Sequence, residues 1–158
     1  MRYDVPLFSQ TENMSCWVAS IAMILGWRDS ACYDEAALAR NVGGLDYSPM
    51  MLAGLDPNDK YILQRNGFAL EYPQCYMQQG VQWLLHQHGP LWVASAVPTA
   101  HIRVVTGMVG HQVFVNDPGP VGQGSQYIAT FDHFFGQMEQ LGSNELAEPD
   151  PVYVAYLR

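Results

Sequence analysis

The spacing of apolar and polar residues changes partway along the chain. Before residue 90, the chain is rich in helix formers broken by Gly, Pro and Asn. From Leu91 onward, β-branched and aromatic residues alternate with small or polar ones. The first half therefore predicts helices. One runs from Cys16 to about Leu25, with Ser15 as its cap and Gly26 as its stop. A second runs from Asp34 to near Asn41, a third spans Asp59–Asn66 with Gly67 closing it, and a fourth spans Gln78–His88 before Gly89-Pro90. The second half predicts strands at Leu91–Val97, His101–Gly107, His111–Asp117 and Gln126–Phe131. A short helix from Asp132 to about Gln140 and a closing strand at Val152–Leu157 complete the pattern. Helices first and strands after imply an α+β domain with segregated layers.

The 158 residues suit one domain, 1–158, and 49% hydrophobic with 12% aromatic residues is enough to build a core and excludes disorder. Charged residues are only 14%, the formal net charge is −8, and Lys60 is the only lysine. A surface for nucleic acid or anionic membrane needs clustered Lys and Arg, so both are excluded as partners. No apolar run reaches membrane-spanning length, and Met1–Gln10 shows no signal-peptide pattern. Cys16, Cys32 and Cys75 are too few and odd in number for a disulfide framework. Reduced thiols imply a cytosolic site of action, for a resident protein or a delivered toxin alike.

Cys16 follows Ser15 directly before the apolar helical run. At a helix tip, unpaired N–H groups and the helix dipole favour the thiolate, which is the nucleophilic form. The alternative is a small buried hydrophobe beginning a core helix. Cys32 and Cys75 lack this setting and are read as structural. Among the histidines, His86 and His88 do not share a helix face, and His133 early in a helix has no assigned role. No ligand pair has zinc-site spacing, so neither metal nor cofactor is expected. His101 opens one strand and Asp117 closes the next. A three-residue loop Met108-Val109-Gly110 would pair Gly107 with His111 and, counting back, His101 with Asp117. A carboxylate there can hold one imidazole nitrogen and leave the other free, as nucleophilic catalysis requires. His101 could equally be structural. Asn116 is the rival orienter, and a register shift of one would exchange the two. Gln10, six residues before Cys16, either supplies an amide N–H to a developing oxyanion or is simply solvated.

Taken together, Val5-Pro6-Leu7 with Gln10, Met14-Ser15-Cys16-Trp17, Gly89-Pro90-Leu91-Trp92-Val93, His101-Ile102-Arg103-Val104-Val105-Thr106-Gly107 and Val115-Asn116-Asp117-Pro118 resemble the papain-like cysteine peptidase superfamily. Within it the pattern is most similar to small bacterial effector proteases and double-glycine leader peptidases. The resemblance spans about Val5 to Phe131. It implies a two-lobe fold, a helical lobe against an antiparallel sheet. It gives Cys16 the role of nucleophile, His101 that of general base and acid, Asp117 that of orienter and Gln10 that of oxyanion donor. Asp in place of papain's Asn sides with the effector and leader-peptidase branch. Unlike secreted papains and exporter-linked leader peptidases, the chain is expected to work without a pro-region and without transport segments. The expectation is a cysteine endopeptidase, a toxin acting in a target cell's cytoplasm after delivery by a secretion system and restrained by a cognate immunity protein. Its substrate would be a protein or peptide, cut after small residues such as Gly-Gly. Trp17 and Trp92 either narrow the substrate cleft or belong to the core. The alternatives are a Cys-dependent amidase, a glutamine deamidase, or an inactive peptide-binding module.

Overall fold

The computed structural model describes residues 1–33, 38, 61–72, 74–95, 101–138 and 152–158. Helix α1 spans Cys16–Asp29, α2 Tyr61–Arg65 and α3 Gln78–His88. The strands are β1 Phe68–Leu70, β2 Leu91–Ser95, β3 His101–Val109, β4 Gln112–Asp117, β5 Ser125–Thr130 and β6 Val152–Leu157. They form one sheet in the order β1-β6-β2-β3-β4-β5, with every neighbouring pair antiparallel. A π-helical turn at Asp132–Gly136 replaces the start of the expected last helix. The helix expected at Asp34–Asn41 lies almost wholly outside the described residues. Among those described, no helix is long and apolar enough to cross a membrane.

Every residue of α1 from Cys16 to Gly26 is buried. A helix that is apolar on all sides belongs in a core. Val18, Ile21 and Ile24 are modest helix formers, so tertiary burial rather than propensity holds this helix. Val18, Ile21, Met23 and Ile24 are fully enclosed, and each side chain contributes about 1.5–3 kcal/mol by leaving water. Gly26 does not stop the helix. A Cβ there would stand 2.8 Å from the Ala31 carbonyl oxygen, so glycine is needed for close packing. The helix runs on to Asp29 and ends at Ser30, which takes the left-handed conformation (φ 51°). By contrast, the expected stop at Gly89 holds, with φ 83° and its N–H on the Leu85 carbonyl.

The central strands of the sheet are covered on both faces. Ile102, Val104, Trp92, Ala155 and Leu157 pack with α1. Leu91, Val93, Val105, Met108, Val113, Val115 and Val154 pack with α3 and the π-helical turn. Alternation along β3 assigns Ile102 and Val104 to the first face and Val105 to the second. Met108 also reaches the second face, because a bulge between Val105 and Gly107 inserts one residue. The edge of β3 beyond the bulge, past the end of β2, is taken by the N-terminal segment. Tyr3 N–H donates to the Thr106 carbonyl, and Met108 N–H donates to the Met1 carbonyl. A Cβ on Gly107 would lie 2.5 Å from the Met1 carbonyl oxygen, so this crossing requires glycine.

Candidate active site

The N-terminal tip of α1 presents Cys16, which is 8% exposed. Ser15 occupies the cap position, but its hydroxyl turns away from the helix. It donates to the Glu12 carbonyl at 3.1 Å and accepts from the Glu12 N–H at 3.1 Å. The expected side-chain cap is therefore absent, and the first helical turn keeps its N–H groups clear of the Ser15 hydroxyl.

His101 is the first residue of β3, so its ring lies at the end of the sheet. Its Nε2 is 2.6 Å from Asp117 Oδ1, and Cys16 is the second side chain that interacts favourably with the charged ring. Burial works against a charged imidazole. The hydrogen bond to Asp117 and the Cys16 side chain, with the carboxylate's charge, outweigh burial and raise His101 to about 9; the Arg103 charge pulls the other way. Burial likewise pushes the Asp117 carboxyl upward. The His101 hydrogen bond and charge, the Gly119 N–H and Arg103 overcome it and hold Asp117 below its ordinary value.

The register that brings these groups together differs from the expected one. Gly110 and His111 form a two-residue turn, Gly110 taking φ 57°, and Val109 pairs with Gln112. Gly107 then pairs with Phe114 rather than His111. Past the bulge, Val105 pairs with Val115 and Val104 with Asn116. Continuing this register sets Asp117 across from Arg103, with His101 on the diagonal. The net displacement is two residues, which keeps the side-chain face unchanged. Diagonal neighbours on one face are within reach of long side chains. The rival orienter points away: Asn116 is 2% exposed, donates to the Val5 carbonyl at 3.0 Å and accepts from Gln126 Nε2 at 2.9 Å.

Gln10 is buried beside this cluster. Its main chain is clamped by the loop after β4: its N–H donates to the Pro118 carbonyl, and its carbonyl accepts from the Gly122 N–H. Its side-chain amide nitrogen donates to the Glu12 and Asn13 carbonyls at 2.8 and 3.0 Å. Its Oε1 is buried without a partner and comes within 3.7 Å of where a Gly119 Cβ would stand, itself 3.6 Å from His101 Cε1. The amide therefore turns its oxygen, not its N–H groups, toward Gly119 beside the imidazole. Donation to an oxyanion requires it to give up one of those carbonyls.

Trp17 and Trp92 are core residues, 2% and 3% exposed, and Trp92 Nε1 donates to the Trp17 carbonyl at 3.4 Å. Packing around α1 encloses both rings, which corrects the reading of either as a cleft wall. Cys32 and Cys75 are exposed, and none of the three cysteines is in a disulfide. Two participants escape the sequence reading. Gly119 donates its N–H to Asp117 Oδ1 at 2.8 Å, and Arg103 Nε donates to Asp117 Oδ2 at 2.9 Å. The signal for Arg103 lay in its position two residues from His101 on the same face. For Gly119 it lay in the turn chemistry of Asp117-Pro118-Gly119.

The family model described as papain-like cysteine protease AvrRpt2 matches residues 1–139, a span containing Gln10, Cys16, His101 and Asp117. No curated protein matches in sequence. Similar solved structures include a double glycine motif protease from an AMS/PCAT transporter in complex with the leader peptide, at TM-score 0.59 and 19% identity over 99% of this chain and 94% of that one. The peptidase domain of Streptococcus ComA, a bi-functional ABC transporter involved in a quorum sensing pathway, has TM-score 0.56 and 14% identity over 96% and 98%. A putative C39-like peptidase from Bacillus anthracis has TM-score 0.61 and 14% identity over 98% and 95%. At these identities the likeness is one of fold.

Proposed function

The chain is a cysteine peptidase of the papain-like AvrRpt2 family, and from that premise we propose that Cys16, His101 and Asp117 are its catalytic triad. The observation that carries the reading is the 2.6 Å contact of Asp117 Oδ1 with His101 Nε2, on a ring that Cys16 also influences. In the proposed cycle the Cys16 thiolate attacks the scissile carbonyl carbon, and the carbonyl oxygen takes up negative charge. The Cys16 backbone N–H at the helix tip receives that charge, joined by the Gln10 amide once it leaves a loop carbonyl. His101 gives its proton to the departing amine, leaving an acyl group on sulfur. The neutral imidazole then takes a proton from water, which hydrolyses the thioester and restores the thiolate–imidazolium pair. Asp117 keeps Nε2 engaged throughout, which leaves the other ring nitrogen to exchange a proton with the sulfur.

The substrate class in this reading is a protein or peptide, with small residues such as Gly-Gly before the cut. A structural neighbour that holds a leader peptide supports a peptide ligand in this fold. The reading extends to a toxin delivered into a target cell's cytoplasm and held in check by an immunity protein. Three cysteines outside any disulfide are compatible with a reducing compartment, and the net charge of −8 suits a basic substrate or inhibitor. Proteomic mapping of new peptide termini in bacteria expressing wild type or Cys16→Ala tests it. Termini unique to the wild type are expected. A +1 Da change on a target without cleavage would replace proteolysis by deamidation, and identical proteomes would remove the toxin reading.

A further inference from the structure

The Asp117 carboxylate is held from three sides. Oδ1 lies 2.6 Å from His101 Nε2 and accepts the Gly119 N–H at 2.8 Å. Oδ2 accepts Arg103 Nε at 2.9 Å. Two donors on Oδ1 already fix how the carboxylate meets the imidazole. The guanidinium adds a full positive charge on the far oxygen. This pair is not a solvent-screened surface contact, since the two side chains are 24% and 13% exposed.

We propose that Arg103 is a positioning residue that acts on His101 through Asp117, holding the outer carboxylate oxygen and offsetting part of its charge, so that it sets how firmly the imidazolium is held. The inference rests on the reading of His101 as the proton carrier. A general acid is most effective when its proton affinity is near the working pH. Left uncompensated, Asp117 would hold the imidazolium proton too tightly for easy transfer to the leaving amine. The groups facing His101 and Asp117 are Cys16 from α1, Arg103 from β3, the Gly119 N–H from the loop after β4, and Tyr127 from β5, which feels the charge of both Arg103 and Asp117. Burial raises the Tyr127 phenol, which keeps it neutral at working pH. Arg103 is therefore the cation that counters Asp117 among the described groups.

The test follows the His101 ring by NMR titration in the full chain, with kcat and KM measured in parallel. Arg103→Gln removes the charge while Oδ1 keeps both donors, so His101 should titrate about 1 pH unit higher. At pH 7 kcat should fall about 3- to 10-fold with KM unchanged. Arg103→Lys keeps the charge and should restore both values most of the way. Arg103→Met repeats the measurement should Arg103→Gln fail to fold. A His101 titration at or below the wild-type pH in Arg103→Gln, or Arg103→Lys behaving as Arg103→Gln does, overturns the proposal. Persistent hydrolysis by Cys16→Ala would overturn the triad reading instead, and the His101 titration would still decide the role of Arg103.

Discussion

The two sides of the site are held by different forces. On the helix side, Cys16 begins a helix buried on every face, and Gln10 is clamped through its own main chain. Position there comes from packing and backbone hydrogen bonds. On the ribbon side, His101, Asp117 and Arg103 are partly exposed and held by charge. Packing is insensitive to pH, whereas an ion network is not. The contrast gives the nucleophile a fixed location and leaves the base adjustable.

Substitutions separate the two sides. The largest effect belongs to Cys16→Ala, which removes the attacking atom. Peptidase activity should fall on the order of 10⁴-fold or more, while circular dichroism and the unfolding midpoint stay near wild type. Residual activity within tenfold of wild type would take the chemistry away from the helix tip. Next is Asp117→Asn, which keeps a hydrogen-bond acceptor but deletes the charge. Here kcat should drop roughly 10²-fold, and the His101 titration should move down from about 9 toward 6.5. An unmoved titration would mean that Asp117 does not set the base. Gln10→Ala should cost about tenfold in kcat, less than the 10²–10³-fold typical of a preformed oxyanion donor, because its N–H groups are already engaged. A loss beyond 10³-fold would show that the amide reorients fully in the working enzyme.

The smallest effect is on stability. His101 binds its proton more tightly in the folded chain, at about 9 against 6.5 for the free side chain. That stabilisation is complete below about 6.5 and disappears as pH rises through about 9. Asp117 acts in the opposite sense, losing its contribution as pH falls through its lowered value. Chemical denaturation of wild type should therefore show a loss on the order of 1–3 kcal/mol between pH 6 and pH 10 that His101→Gln lacks. Parallel curves for the two proteins would detach His101 from the ion network.

The layers and the partnership of His101 with Asp117 were legible in the sequence because each depends on periodicity. The α3 limits follow from Gly89-Pro90, and the strands from alternation. Asp117 shares a face with His101 in both the expected and the observed register because the two differ by an even number of residues. That parity was not itself legible. The shorter turn moves the pairing by three residues, and the bulge before Gly107 returns one. Without the bulge, Asp117 would pair with Val104 and point to the opposite face, and Asn116 would share the face of His101 instead. Nothing in Val105-Thr106-Gly107 announces a bulge, since the tertiary contact with Met1 and Arg2 is what exploits Gly107. Gly26 was misread for a related reason: a glycine required by packing looks like a glycine required by φ. Ser15 and Gln10 carry the expected residue types, but their partners are carbonyls of their own loop, which no spacing rule reveals. Arg103 went unassigned because its partner is fixed only by the true register.

The most direct measurement compares alkylation of the three cysteines by iodoacetamide at pH 6, read by mass spectrometry. Exposure alone ranks Cys16, which is buried, behind Cys32 and Cys75, which are exposed. If the sulfur and imidazole act as a pair, Cys16 should react fastest in the wild type and lose that lead in His101→Ala. Cys16 reacting more slowly than both exposed thiols, or at a rate indifferent to His101, would contradict the pairing.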